Sequence, residues 1–295
     1  MMGLVLTFLP LIATGLAIGS IYGLLAFGIV LLLKATDALS FAQFQFVTLG
    51  SYFAFTLITQ HVLPFFLAVI VSGLGAFGLG VLMYYLVIKP MEGQSQFALF
   101  VATIGVAAMI KSAIGIIWGY NNSTMPLPFN QTPISFGSGV AISSVHLVIL
   151  AITIVFIGAF IIFFNKTLLG TQMRAVANDL EAAQMMGINV NKVFIVSWGV
   201  AAFSAAIGGV FLSGLETVNV NLGEIGIKAL PVVILGGAES ISGAMVGGLL
   251  IGVIEVLVGY FFGSEFRTAI VFSLLILVLM VKPYGLFGER HSERV

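Results

Sequence analysis

Few side chains in this sequence can do chemistry, and the informative ones stand inside apolar runs. Glu255 lies in the middle of one such run, deeper in apolar sequence than any other carboxylate. An ionised group in hydrocarbon costs roughly 2.5–3.5 kcal/mol on insertion scales and tends to be functional. Glu255 must therefore be paired, protonated or beside water, either bonded to a neighbouring helix or lining a solute path. Lys228 precedes Pro231 in a short apolar piece and has Glu224 at i−4, a spacing that reads as an interfacial ion pair. Lys111, near the end of its run, is expected to snorkel outward. Gln43 and Gln45, on either side of Phe44, are two residues apart and point to different sides of a helix, so at most one faces a path. Gln43, with Ser40 one turn earlier, is the choice. This chemistry is the holding and passing of a polar solute.

Covalent chemistry is poorly provided for. His61, His146 and His291 are far apart, with no His-Glu-x-x-His pattern and no signature for a converging Ser-His-Asp set. No metal site is expected. The chain has no cysteine, which excludes disulfides, thiolate ligands and thiol nucleophiles. It has no Gly-x-x-x-x-Gly-Lys-Ser/Thr loop to cradle nucleotide phosphates, so energy for any pumping must come from another subunit.

The elements that position these residues belong to a bilayer. Of 295 residues, 60% are hydrophobic and 7% charged, the mean hydropathy is +1.19, and the formal net charge is zero, which argues against nucleic acid as a partner. Apolar runs of membrane-spanning length fall near residues 6–33, 41–60, 63–88, 97–117, 145–164, 193–214, 243–262 and 268–281. A further piece near 225–236 holds Pro231 and stops at Gly236-Gly237. At roughly 18 Å it is too short to cross upright. It reads either as a broken or re-entrant helix followed by the turn Ala238-Glu239-Ser240, or as a short tilted span. The expectation is an all-α, polytopic helical membrane protein of eight or nine crossings in one transmembrane domain, 1–295. Lys34 is the first basic residue, so the N-terminal run reads as a retained helix and not a signal peptide.

Lys34, Lys89, Lys166, Arg174, Lys192, Lys282, Arg290 and Arg294 fall on one side if spans alternate and the short piece counts as a crossing; Arg267 falls on the other. The positive-inside rule then puts the N-terminus and the loop from Tyr120 to Ser144 outside and the C-terminus in the cytoplasm. Gly15, Gly19 and Gly23, and the pairs Gly243/Gly247 and Gly248/Gly252, have the four-residue spacing that lets helix backbones approach in lipid.

The cytoplasmic segment from Asn165 to Lys192 carries charges of both signs and good helix formers from Arg174 to Met186, ended by Gly187. One short amphipathic helix is expected there, suited to a groove in a soluble partner. Glu181-Ala182-Ala183 followed after three residues by Gly187 resembles the coupling loop of ABC importer permeases, although the later Ile-x-Leu-Pro part is missing after Val196. GSIYGLLAFGIVLL, LSFAQFQFVTLGSYFAF, KALPVVILGGAESISGAMVGGLLIGVIE and KPYGLFG follow in order. Together they make the chain similar over nearly its whole length to the permeases of branched-chain amino acid type importers, in particular the first of their two permease subunits.

The resemblance implies a bacterial plasma membrane protein, paired with a second homologous permease and two ATP-binding subunits that hold ATP and magnesium, and fed by an extracytoplasmic solute-binding protein. It makes Arg174, Asp179, Glu181, Ala182, Ala183 and Gly187 the segment coupled to the ATPase. Where the family usually reads Asn-Phe-Ala-His-Gly-Glu, this chain has Ser40-Phe41-Ala42-Gln43-Phe44-Gln45, which removes an ionisable pair and adds a ring. Members of the family carry amino acids, urea, short amides or aromatic carboxylates, and the solute stays open among these. The pathway candidates are Ser40, Gln43, Phe44, Gln45, Lys228 and Glu255. A secondary transporter or channel that works without an ATPase, and an intramembrane enzyme, are the competing classes.

Overall fold

The computed structural model describes residues 2–36, 39–129, 132–136, 140–238 and 240–288. Asp37, Glu239, Arg290, His291 and Arg294 lie outside the described residues. In chain order the elements are α1 (Met2–Thr36), α2 (Ala42–Thr59), α3 (Phe65–Met83), α4 (Gln96–Trp118), β1 (Pro133–Phe136), β2 (Val140–Ser143), α5 (Ser144–Lys166), α6 (Leu168–Asn178) and α7 (Leu180–Met185). They continue with α8 (Val190–Leu215), α9 (Leu222–Gly226), α10 (Ala229–Gly236), α11 (Ile241–Phe261) and α12 (Phe266–Val281). Among the described residues six helices are long and apolar enough to cross a membrane: α1, α3 with its extension to Met91, α4, α5, α8 and α11. α12, at 16 residues, is shorter; α2 has 18 residues, and its glutamines, serine and threonines lower its hydropathy.

The all-α expectation needs one addition, an antiparallel hairpin in which Pro133 faces Ser143 and Phe136 faces Val140, inside the polar loop before α5. A second correction concerns the segment between α5 and α8, which forms two short helices instead of one. The chain breaks at Asp179, whose extended backbone (φ −159°) ends α6 and whose carboxylate accepts from the amide of Ala182 at 2.8 Å to begin α7. An Asp in that position serves as an N-cap, which favours a new helix start over helix continuation.

The described chain divides into two compact units. The first comprises Met1–Val30, Phe129–Ile154 and Lys228–Val295. Its centre is the antiparallel contact of α1 with α11, in which Gly15 meets Val253, Gly19 meets Gly248 and Leu249, and Gly23 meets Met245. A Cβ on Gly15 would lie 2.6 Å from the Cα of Val253, and one on Gly248 would lie 2.6 Å from the oxygen of Gly19. α11 repeats the device on a second face, where Gly243 and Gly247 meet the backbone of Gly236 and Val232 in α10. The four-residue glycine spacing therefore packs helix on helix, as expected.

α10 has eight residues and is a separate helix from α9, the two parting at Ile227 and Lys228, so the short piece is a broken helix. Pro231 sits in the first turn of α10, where its missing N–H has no intrahelical partner to lose. At the other end the C-terminal Lys-Pro-Tyr-Gly-Leu-Phe-Gly segment folds back. Leu286 N–H donates to Leu235 O at 2.8 Å and Phe287 N–H to Gly236 O at 3.2 Å, satisfying carbonyls that the helix end leaves open.

The second unit comprises Leu31–Pro128 and Val155–Ile227. α8 is its central helix, 78% buried over its apolar window, against 17% for α4. α2 lies antiparallel on one side of α8, with Gly50 against Ala206 and Val47 against Gly209; α3 lies on another, with Phe77 over Gly199 and Gly80 against Trp198 and Ala202. α4 runs parallel to α2, tied by Phe41 N–H to Thr103 Oγ1 at 3.1 Å and by Trp118 Nε1 to Thr56 Oγ1 at 2.6 Å.

Replacing Gly248 by leucine forces overpacking of about 1–3 kcal/mol between α1 and α11. The thermal midpoint of the purified chain in detergent should fall, while Gly78→Leu, at a position with nothing within 4 Å of its would-be Cβ, should leave it unchanged.

Candidate functional site

The candidate membrane residues fall into two groups, one in each unit. In the first unit, the helix break brings Lys228 to the N-cap of α10, facing mid-α11. Its ammonium donates to Glu255 Oε1 at 2.5 Å, and the two side chains are 22% and 5% exposed. This corrects the i−4 pairing expected from the sequence. Glu224 instead meets Lys111, Nζ to Oε1 at 2.8 Å, in the second unit, so Lys111 is an ion-pair partner and not only a snorkelling cation. Helical spacing predicted the Glu224–Lys228 pair, and the break after α9 removes the regular turn on which that spacing depends. The second carboxylate oxygen of Glu255 is buried and has no hydrogen-bond partner. A carboxylate oxygen so placed keeps capacity for one further donor.

In the second unit, α2 lines up the polar residues singled out in the sequence. Gln43 is 2% exposed and its amide donates to Ala201 O of α8 at 2.7 Å, which fixes α2 to α8. Gln45 points elsewhere, as their two-residue separation requires; its Oε1 is buried without a partner, as are Ser40 Oγ and Tyr52 Oη. Phe44 is buried with its ring edge-on to Phe41 at 5.4 Å. The backbone oxygen of Phe44 and Thr48 Oγ1 lie against Gly223 of α9, whose N–H donates to Thr48 Oγ1 at 2.8 Å. Lys228 and Glu255 are thus brought together, whereas Ser40, Gln43, Phe44 and Gln45 belong to the other unit.

The segment of α6 and α7 is built from local rules. Thr167 caps α6 by accepting from Gly170 N–H at 3.0 Å, and donates its own hydroxyl to Phe163 O at 2.6 Å. Gly170 lies against the carbonyl of Phe164. Arg174, one turn on, donates to that same oxygen, stacks its guanidinium 5.5 Å from the Phe164 ring and holds Thr171 Oγ1 at 3.1 Å. A cation on the last carbonyls of a helix is favourable. Arg174 therefore locks α6 to the end of α5.

In α7, Glu181 stands in the first turn, where the helix dipole favours an acid, Ala182 supplies the capped amide and Ala183 is 4% exposed. Gly187 takes φ +79°, with Gly187 N–H to Gln184 O at 2.9 Å and Ile188 N–H to Ala183 O at 3.0 Å, the paired bonds of a Schellman ending. Each residue of the Glu-Ala-Ala-x-x-x-Gly motif thus has a local reason for its type. Leu180, Met185 and Met186 of this turn are 43%, 85% and 83% exposed. These three apolar side chains are left uncovered by the rest of the described chain. Beside them lies a cavity of about 530 Å³ lined by residues that include Leu180, Gln184, Asn191 and Phe194.

Sequence reasoning missed Tyr84, Glu92 and Asn191, whose side chains meet behind this cavity. The one available signal was Pro90, which forces the end of α3 to depart from a regular helix.

The family model for the branched-chain amino acid transport system permease component matches residues 11–281. The chain is 30% identical to the high-affinity branched-chain amino acid transport system permease protein BraD of Pseudomonas aeruginosa, with 98% of both chains covered. It is 29% identical to the corresponding permease protein LivH of Escherichia coli K12, again over 98% of each. No solved structure matches the chain. By this evidence of kinship and of membrane-spanning helices, the chain belongs to the permease components of the branched-chain amino acid transport system, and its part in transport is translocation and not catalysis.

Proposed function

We propose that this chain forms half of the translocation path of an ATP-driven importer, beside a second homologous permease, two ATP-binding subunits and an extracytoplasmic binding protein. The observation that carries the reading is the exposed apolar turn of α7, held by a capped Asp179 start and a Gly187 ending and fixed to α5 through Arg174. A rigid, apolar, cytoplasmic projection suits a groove in an ATPase subunit. ATP and magnesium are held there, and closure of the ATPase pair pulls α6 and α7, tilting the attached spans between outward and inward openings.

The membrane path counts α1, α2, α3, α4, α5, α8, α11 and α12 as crossings and the pair α9–α10 as a broken ninth, in one transmembrane domain. The N-terminus is outside and the C-terminus cytoplasmic, which puts Lys34, Lys89, Lys166, Arg174, Lys192 and Lys282 on the inner side. The solute is small and polar, a branched-chain amino acid or a related amide, urea or aromatic carboxylate. In the second unit Gln45 Oε1 and Ser40 Oγ, beside Gln43 and Phe44, have capacity to contact it, and in the first unit, separately, so does the free oxygen of Glu255, whose other oxygen Lys228 holds.

The test is to purify the complex from native membranes, reconstitute it, and measure ATP-dependent uptake from a panel of leucine, urea, acetamide and benzoate. Copurification of two ATPases and a second permease with ATP-dependent uptake supports the importer. Uptake by the isolated chain, without ATP, replaces it with a secondary transporter or channel.

Gly187→Val places a β-branched residue in left-handed backbone, at a cost of about 1–2 kcal/mol to the α7 ending. Hydrolysis by the assembled complex should then continue while uptake falls; unchanged uptake per ATP would remove α7 from the coupling role. Lys228→Met leaves the Glu255 carboxylate buried and unpaired, at a cost of roughly 3 kcal/mol. The thermal midpoint of the complex should drop, and the double variant with Glu255→Gln should recover most of the loss.

A further inference from the structure

Pro90 has no N–H, and in a continued α-helix its ring would collide with the carbonyl of Leu86. α3 responds by widening into a π turn over Tyr84–Ile88, in which Lys89 N–H reaches back to Tyr84 O, and then tightening into a 3-10 turn over Lys89–Met91. Such π turns inside helices are frequent at functional positions. This one turns Tyr84 inward. Its side chain is 0% exposed and its ring packs edge-on to Phe194 of α8 at 6.4 Å.

The Tyr84 hydroxyl lies 2.6 Å from Asn191 Oδ1, in the first turn of α8, and 3.1 Å from Glu92 Oε1, beyond the end of α3. A phenol has one proton to give and here faces two acceptors on two elements. It donates to one at a time, and the donation can pass from α8 to the turn after α3 while the ring stays in place. A phenylalanine would fill the same space without desolvating a hydroxyl, so packing alone does not account for the oxygen. Both acceptors also line the cavity beside α7, together with Leu180 and Gln184 of α7 itself. Displacement of α7 therefore changes the wall that Asn191 and Glu92 share with it.

We propose that Tyr84 is a positioning residue of the transport cycle: its hydroxyl exchanges between Asn191 and Glu92 as α7 moves, so that α3 and α8 follow the coupling segment together. The proposal rests on α6 and α7 being the segment that docks on the ATPase.

The test uses the whole importer in proteoliposomes, with the solute of the panel that the wild type takes up fastest, and compares wild type, Tyr84→Phe, Asn191→Ala and the double variant. Solute moved per ATP hydrolysed should fall about fivefold in each single variant, the factor that one net hydrogen bond is worth, with complex yield and hydrolysis retained. The double variant should fall no further, because both changes remove one shared contact. Asn191 is exposed, so its variant decides the matter if Tyr84→Phe fails to assemble. A wild-type ratio in both single variants, or additive losses in the double, overturns the proposal. Docking is checked separately by cross-linking Glu181→Cys to the ATPase subunit. Failure to cross-link rejects the docking reading and the proposal with it, whereas cross-linking with an unchanged ratio rejects the proposal alone.

Discussion

Helices in a bilayer gain little from burying apolar side chains against one another, because the acyl chains they displace are equally apolar. What holds them is close approach of backbones, and in this chain glycine permits it. α1 and α11 meet where Gly15 and Gly19 face Gly248 and Gly252, with no side chain between them. α11 presents a second glycine face to α10, and in the other unit Gly50 and Gly209 bring α2 and α8 to the same distance. The broken helix is possible only under this condition. An eight-residue helix has open carbonyls at its end, and they are bonded because Gly236 lets the backbones of α11 and of the Leu286–Phe287 segment come close enough.

Backbones this close leave few places for polar side chains, so those that are buried have defined duties. Gln43 ties α2 to α8, Thr48 receives the amide of Gly223, and Lys228 neutralises Glu255. The atoms left over are informative by contrast. Ser40 Oγ, Gln45 Oε1, Tyr52 Oη and one oxygen of Glu255 are buried with no hydrogen-bond partner in the chain, and each retains unused capacity.

Much of this was legible in the sequence. The long apolar runs located eight helices to within a few residues, because length and hydropathy are the constraints a bilayer imposes. The glycine spacing identified contact faces, and Gly187 marked a helix ending. What failed were inferences that assumed an unbroken 3.6-residue period. Lys228 was paired with Glu224 by that period, and the break at Ile227 gave Lys228 to Glu255, 27 positions along the chain. One helix was expected where Asp179 makes two. Tyr84 was flagged only indirectly, by Pro90 six residues on, since its partners lie eight and 107 residues away and only a fold brings them together.

The Lys228–Glu255 pair also bears on how the chain is made. Lys228 leaves the ribosome 27 residues before Glu255, and it does so on a helix of eight residues, about 12 Å long. That helix can neither span the hydrocarbon nor neutralise its own charge. Its charge is matched only once α11 has been made, and in the folded chain the two helices share glycine contacts and an ion pair in place of two separate charges. The order of synthesis thus leaves the Lys228 charge unmatched until Glu255 follows it, which makes α10 and α11 one unit of charge balance.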